Sequence, residues 1–233
     1  MAIKSLARGS ATRTANKNKR RSHILACAGQ IIATQGMDAL TLRKLAKKAD
    51  VTVPTIHNLI GKKSDIYRML VEEMLTRVDE ALTATEITDP IEAAETTIDK
   101  LMELFSRNEA LYKAAYVVGE RDKLFEHDNP TGIFRKSLGI TIRVCEIAKT
   151  SGYLEGKIDT SLLAHEIFGC QRLARYDWIQ GYIDLKEYRT QALSGMFIAM
   201  AADATPAYRE RLRNKIDALS QLGHSRLMLE RSA

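Results

Sequence analysis

The stretch from Thr41 to Lys63, TLRKLAKKADVTVPTIHNLIGKK, constrains this chain more than any other. It reads as two short helices with a tight turn between them. Leu42, Leu45, Ala46 and Ala49 recur at i, i+3, i+4 and i+7, one apolar face on a helix that opens at Thr41. Thr41 suits the N-cap, because its hydroxyl can accept an orphan backbone N–H of the first turn. Asp50-Val51-Thr52 breaks the pattern. Asp50 falls where the chain turns sharply, and the reading predicts a positive φ there, which Asp tolerates better than most residues with a Cβ. Val51 plugs the gap between the helices. Thr52 caps the second helix, and Pro54 fits its first turn, where a missing N–H costs nothing. Ile56, Leu59 and Ile60 supply its inner face. Such a pair is a helix-turn-helix, whose second helix can enter a DNA major groove.

The flanking sequence completes a helical head. A helix is predicted from about Asn18 to Gln35, with Ile24, Leu25, Ala28, Ile31 and Ile32 as its apolar face and Gly36 as its cap. Residues 1–17 are basic and poor in large apolar groups. They read as a flexible arm, which either reaches along DNA or stays solvated. Gly61 ends the second helix of the motif. Ser64 then caps a long helix, 64–82, with Asp65 in its first turn and Ile66, Leu70, Met74, Val78 and Leu82 inward. Thr83–Asp89 is the expected domain junction, with Pro90 opening the next helix.

Beyond the junction only helical periodicity is found, at 90–107, 108–121, 130–151, 159–182, 185–203 and 205–222. Gly152 stops one helix, Asp159 opens the next, and Pro206 starts the last. The expectation is an all-α chain. It divides into an arm (1–17), a three-helix head carrying the helix-turn-helix (18–66) and a helical body (67–233). The helix at 64–82 connects head and body.

Charge supports the division. Through Leu70 the chain has 14 Lys and Arg against 3 Asp and Glu; from Val71 onward it has 21 against 26. A basic head on a mildly acidic body points to a nucleic-acid-binding module joined to something else. Cys27, Cys145 and Cys170 are scattered and odd in number, which argues for a reducing cytoplasm and against a disulfide framework. Each reads as a small buried apolar residue, with a redox sensor as the alternative. No secretory signal is recognisable. The longest apolar run, Met196–Ala202, is far too short to span a bilayer. A cytoplasmic protein is expected.

The head resembles the TetR, or tetracycline-repressor-like, family of bacterial regulators. The matching residues are Ile24-Leu25-x-x-Ala28, Gly36, Thr41-Leu42-Arg43-Lys44-Leu45-Ala46, Ala49, Val51-Thr52, Pro54-Thr55-Ile56 and Lys63-x-Asp65-Ile66. They cover about residues 20–70. The body adds Trp178-x-x-Gly181 late in a long helix. The resemblance implies a homodimer with two recognition helices in successive major grooves of a pseudo-palindromic operator. It also implies a small-molecule pocket in each body and a pivot of the connecting helix that moves the heads out of register. The family usually has Gly where Asp50 stands, Tyr where His57 stands and an aromatic pair where Leu59-Ile60 stands. His57 can still donate to a phosphate, but then its charge depends on pH.

Candidate DNA contacts follow. In matching family members the position of Arg43 reaches a guanine edge or a phosphate. A bidentate arginine–guanine pair is worth about 1–3 kcal/mol of discrimination. Val53 and Pro54 can pack on a thymine methyl, Thr55 can bond a phosphate, and Asn58 can pair with an adenine edge or be merely exposed; for Arg43 the alternative is a solvated surface arginine. Lys63, before the connecting helix, and Thr41, at the first helix of the motif, are candidate phosphate anchors. Lys44, Lys47 and Lys48 contribute a diffuse field.

In the body, Met102, Phe105, Tyr112, Tyr116, Phe134, Cys145, His165, Phe168 and Tyr176 are candidates to line a pocket for a small, largely apolar effector. The alternative for each is plain core. The helices at 159–182 and 185–203 read as the dimer surface, because the second is apolar nearly all round; the alternative is a buried central helix in a monomer. Gly169, Ala174, Gly195 and Ala199 would let paired helices approach, as a four-helix bundle across a two-fold axis. There is no phosphate loop, metal-ligand pair or nucleophile elbow, so neither an enzyme nor a cofactor or metal site is expected. Asp122–Asp128 (DKLFEHD) reads as an exposed helix end and loop. A regulator released by its effector is the reading; a basic helical protein that coats DNA without sequence preference is the rival.

Overall fold

A computed structural model describes residues 3–83, 89–121 and 133–223. Among them are ten helices: α1 (Ile3–Gln35), α2 (Leu42–Lys48), α3 (Val53–Leu59), α4 (Lys63–Thr83), α5 (Pro90–Ser106), α6 (Glu109–Arg121), α7 (Ile133–Thr150), α8 (Thr160–Gln180), α9 (Leu185–Ala201) and α10 (Pro206–Gly223). The described residues contain no strand, only an isolated bridge between Leu154 and Ala204. Most of the junction at Thr83–Asp89, the loop at Asp122–Asp128 and the Leu82 side chain lie outside the described residues. Two compact units form: Met1–Thr76 with Asn108–Lys123, and Arg77–Arg107 with Leu124–Ala233.

The first unit is the helical head plus α6. Ile24, Ala28, Ile31 and Ile32 of α1, Leu45 and Ala46 of α2, Ile56 of α3 and Ile66 and Leu70 of α4 are all buried. α6 packs on α1, with Leu111 set against Gly29, and its Tyr112, Ala115 and Tyr116 are buried. The Tyr67 hydroxyl donates to the Met37 carbonyl at 2.9 Å and ties α4 to the chain after α1.

The turn is built as expected. Asp50 has φ +50°, and it is the only non-glycine residue with positive φ among those described. Val51 N–H reaches back to the Ala46 carbonyl at 3.0 Å, the six-to-one bond that closes a helix whose next residue is left-handed. A left-handed conformation costs a residue with a Cβ about 1–2 kcal/mol. Asp50→Val should therefore lower stability by about that amount, since a β-branched chain fits there worst. Asp50→Gly should leave stability within about 1 kcal/mol or raise it, because glycine's freedom when unfolded offsets part of the relief. Urea midpoints at constant slope measure both.

Two boundaries differ from the sequence reading. α1 begins at Ile3, not near Asn18, so it takes in the segment that reads as an arm. Residues 3–17 contain no proline and one glycine, so nothing in them breaks a helix. α4 begins at Lys63, so Ser64 lies inside it instead of capping it. The Asp65 carboxylate reaches back to the Lys62 N–H at 2.8 Å and satisfies the helix start in its place.

In the second unit α9 is central, with α8, α10 and α5 packed on it. Its Ala192, Leu193, Phe197 and Met200 are buried, while Ile198 is 59% exposed. Gly195 allows the closest approach: a Cβ there would sit 2.7 Å from the Cys170 Cβ of α8. Ala174 is buried too. Gly195 and Ala174 therefore serve packing inside the chain, whereas Gly169 stands exposed. Trp178, Phe105 and Tyr188 form one ring stack, with Phe105–Trp178 centroids 5.0 Å apart at 12° and Trp178–Tyr188 centroids 5.9 Å apart at 15°. Gly181, at φ +80°, then caps α8, so the Trp178-x-x-Gly181 spacing joins a core anchor to a helix stop. Asp184 and Glu187 form a capping box at α9.

Candidate nucleic-acid interface

Local chemistry sets both helices of the motif. Thr41 caps α2, its hydroxyl accepting from the Lys44 N–H at 3.2 Å. Thr52 caps α3 in the same way, accepting from the Thr55 N–H at 3.3 Å. The Thr52 and Thr55 hydroxyls also lie 2.8 Å apart and share a hydrogen bond. Pro54 occupies the first turn of α3. Each helix has only seven residues. Helices this short have little stability of their own, so their capping bonds and the buried Leu45, Ala46 and Ile56 hold them in place.

All eight residues singled out for DNA lie in the first unit. Thr41, Arg43, Pro54, His57 and Asn58 are exposed; Val53, Thr55 and Lys63 are half-buried. The Lys63 ammonium lies 5.5 Å from the centroid of the Tyr67 ring four residues on, and that ring is itself anchored by the Met37 bond. Tyr67 is a residue that sequence reasoning misses; the Lys-x-x-x-Tyr spacing on one helix is the signal that could find it. Lys44 hydrogen-bonds the Gln35 side chain, joining α2 to the end of α1. The exposed surface of α2 and α3 thus offers donors (Arg43, His57, Asn58), small apolar groups (Val53, Pro54) and further cations, a mixture suited to base edges, thymine methyls and phosphates.

The residues singled out for an effector are placed differently. Phe134 and Phe168 meet edge to face at 5.0 Å, and the Arg172 guanidinium lies 4.7 Å from the Phe134 centroid. Cys145 is buried, and that burial, with the charges of Glu146 and Asp203 adding, pushes its thiol up to about 12. It therefore stays a neutral, inert apolar group. Phe105 is committed to the Trp178 stack. Met102 is half-buried, and Tyr112 and Tyr116 are buried in the first unit. His165 and Tyr176 are exposed on α8, Tyr176 by 46%, and do not face the interior of the second unit. They share a helix with buried Phe168 but sit on other faces of it, and grouping residues by type alone does not register that.

Residues 24–68 match the family described as bacterial regulatory proteins, tetR family. No curated protein sequence matches the chain. Among solved structures, a TetR transcription regulator from Haloarcula marismortui ATCC 43049 aligns with a TM-score of 0.67 at 15% identity, over 81% of this chain and 100% of that one. A TetR-family transcriptional regulator from Marinobacter aquaeolei VT8 aligns at 0.59 and 16% identity, over 85% of this chain and 98% of that one. A gamma-butyrolactone receptor, described as an ArpA-like protein, aligns at 0.57 and 16% identity, over 88% and 99%. At these identities the likeness is one of fold. Among the described residues no helix is long and apolar enough to cross a membrane.

Proposed function

We propose that this chain, whose head is that of the TetR family of bacterial regulators, works in the cytoplasm as a homodimeric repressor that leaves a pseudo-palindromic operator when a small, largely apolar effector binds its body. One observation carries the reading. Two short capped helices meet at a left-handed Asp50 and present exposed Arg43, Pro54, His57 and Asn58, on a head with 14 basic residues against 3 acidic through Leu70. A basic surface alone would fit a DNA-coating protein. A rigid recognition helix with base-compatible groups fits a reader of sequence.

In this reading α3 enters the major groove. Val53 and Pro54 approach thymine methyls, Asn58 meets an adenine edge and Arg43 a guanine, while Thr41, Thr55, His57 and Lys63 hold phosphates. Leu173 on α8 (58% exposed) and Ile198 on α9 (59%), with Tyr176, form the patch that two copies share. Half-sites then lie about one helical turn, roughly 34 Å, apart. Met102, Phe134, Cys145 and Phe168 of the second unit are proposed on the effector side. A fold shared with a gamma-butyrolactone receptor supports a small-molecule effector.

The test is retention of the intergenic duplex beside the gene against a scrambled duplex at matched salt. A ratio of roughly 10³ or more is expected; equal retention of every genomic fragment would establish the coating protein instead. Lys63→Ala should weaken all duplexes alike and reduce the salt slope by about 1, whereas Arg43→Ala should also relax preference at one base pair, by about 1–3 kcal/mol. An Arg43→Ala protein with unchanged preference would remove that contact from the scheme.

A further inference from the structure

We infer that the first half of α1, residues 3–21, is a second DNA-binding element, which lies along the phosphate backbone of the duplex flanking the site read by α3. The inference rests on the regulator reading and extends its footprint. α1 is 33 residues long, yet among its described side chains, from Thr12 onward, the first buried one is Ile24. Thr12 to Arg20 are all exposed. The face that is apolar from Ile24 through Ala28 to Ile31 continues towards the N-terminus as Arg13, Lys17, Arg20 and Arg21, on the same helical spacing. A core-facing stripe thus becomes a cationic one where the helix passes beyond the head.

Nothing within the arm neutralises that stripe. The first carboxylate in the sequence is Asp38, so the arm carries no acidic partner of its own. Arg13 and Lys17, and Lys17 and Arg21, are like charges four apart, a spacing that weakens an isolated helix. At the join, Arg21 donates to the Met69 sulfur at 3.0 Å, a weak acceptor, and its buried Nε has no hydrogen-bond partner among the described residues. A helix with a cationic face, no anion of its own and no apolar stripe fits an extended polyanion. A membrane surface would require a continuous apolar stripe opposite the charges; Ile3 and Leu6 are the only large apolar residues in 3–21, and Thr12 to Arg20 contain none. Duplex DNA is the polyanion that the adjoining helices already address. Nineteen helical residues reach about 28 Å, roughly eight base pairs at 3.4 Å each.

The experiment uses the whole chain and the substitutions Arg13→Gln, Lys17→Gln and Arg20→Gln together, at exposed positions where glutamine keeps helix propensity. Each protein is titrated with operator duplexes carrying flanks of about ten base pairs, longer than the arm's reach, and with duplexes trimmed to the half-sites. Trimming should lower the affinity of the parent and flatten its salt dependence by about 0.9 in log–log slope for each phosphate that the arm no longer neutralises. The triple variant should bind both duplexes alike, at the parent's trimmed value. If the variant matches the parent on the long duplex while Lys63→Ala still weakens binding, the arm is not a DNA element and the regulator reading stands. If the variant loses equally on both duplexes, the charges act as a diffuse field and the flanking contact is overturned. If the parent does not distinguish operator from scrambled DNA, both readings fall.

Discussion

Asp203→Ala is expected to destabilise the second unit by about 3–5 kcal/mol, because the charged acceptor of three backbone N–H groups in a half-buried loop is removed with nothing in its place. Asp203 is 2% exposed, the only buried charged residue among those described. Its carboxylate accepts from the N–H groups of Gly156 at 2.9 Å, Lys157 at 2.9 Å and Ile158 at 3.1 Å. Its carbonyl accepts from the Glu155 N–H at 2.7 Å, and the next residues add the Leu154–Ala204 bridge and Thr205 N–H to the Tyr153 carbonyl. One side chain after α9 therefore organises the whole connection between α7 and α8. Alanine keeps the backbone bonds and removes the three that the side chain makes. At about 2–4 °C per kcal/mol for a chain of this size, the melting temperature should fall by roughly 10 °C. Asp203→Asn keeps one acceptor oxygen and should lose less. A melting temperature unchanged by Asp203→Ala would mean that the loop finds other acceptors, and the account given for it would fail.

Trp178→Ala should cost a similar amount, about 3–5 kcal/mol, by a different route. Trp178 is 0% exposed and lies within 5.9 Å of both ring partners, Phe105 of α5 and Tyr188 of α9. Its removal opens a cavity where three helices meet and strips both neighbours of their stacking surface. Trp178→Phe should cost less, since a ring remains in the stack. Trp178 is the only tryptophan in the chain, so the variants must be followed by circular dichroism in urea. A loss under about 1 kcal/mol for the alanine variant would show that the site collapses around the change.

These two sites show where reading along the chain stops. Thr41, Asp50, Thr52 and Pro54 are legible because caps, turns and helix starts are decided by residues two to five positions apart, and their spacing is visible in one line of letters. The same holds for Asp159 and Pro206 at the starts of later helices. Asp65 reads as a dipole partner and proves to be the group that satisfies the start of α4, a distinction of reach that spacing does not make. The full extent of α1 is not legible, because no breaker precedes Asn18 and propensity does not say whether a polar helix persists.

The effector candidates show the same limit more sharply. Phe105, His165 and Tyr176 belong together by chemistry, yet the fold places one in a ring stack and the other two on an exposed face. Asp203 and Gly156 are 47 residues apart, and no periodicity connects them. Helix type, the capped helix starts, the turn and the basic character of the head follow from short-range rules: capping, periodicity and charge. Which aromatic fills the core, which glycine admits a neighbouring helix and which carboxylate holds a loop depend on partners brought together from distant parts of the chain. Those choices are made by packing and by the need to pair buried polar groups, and neither acts until the helices have met.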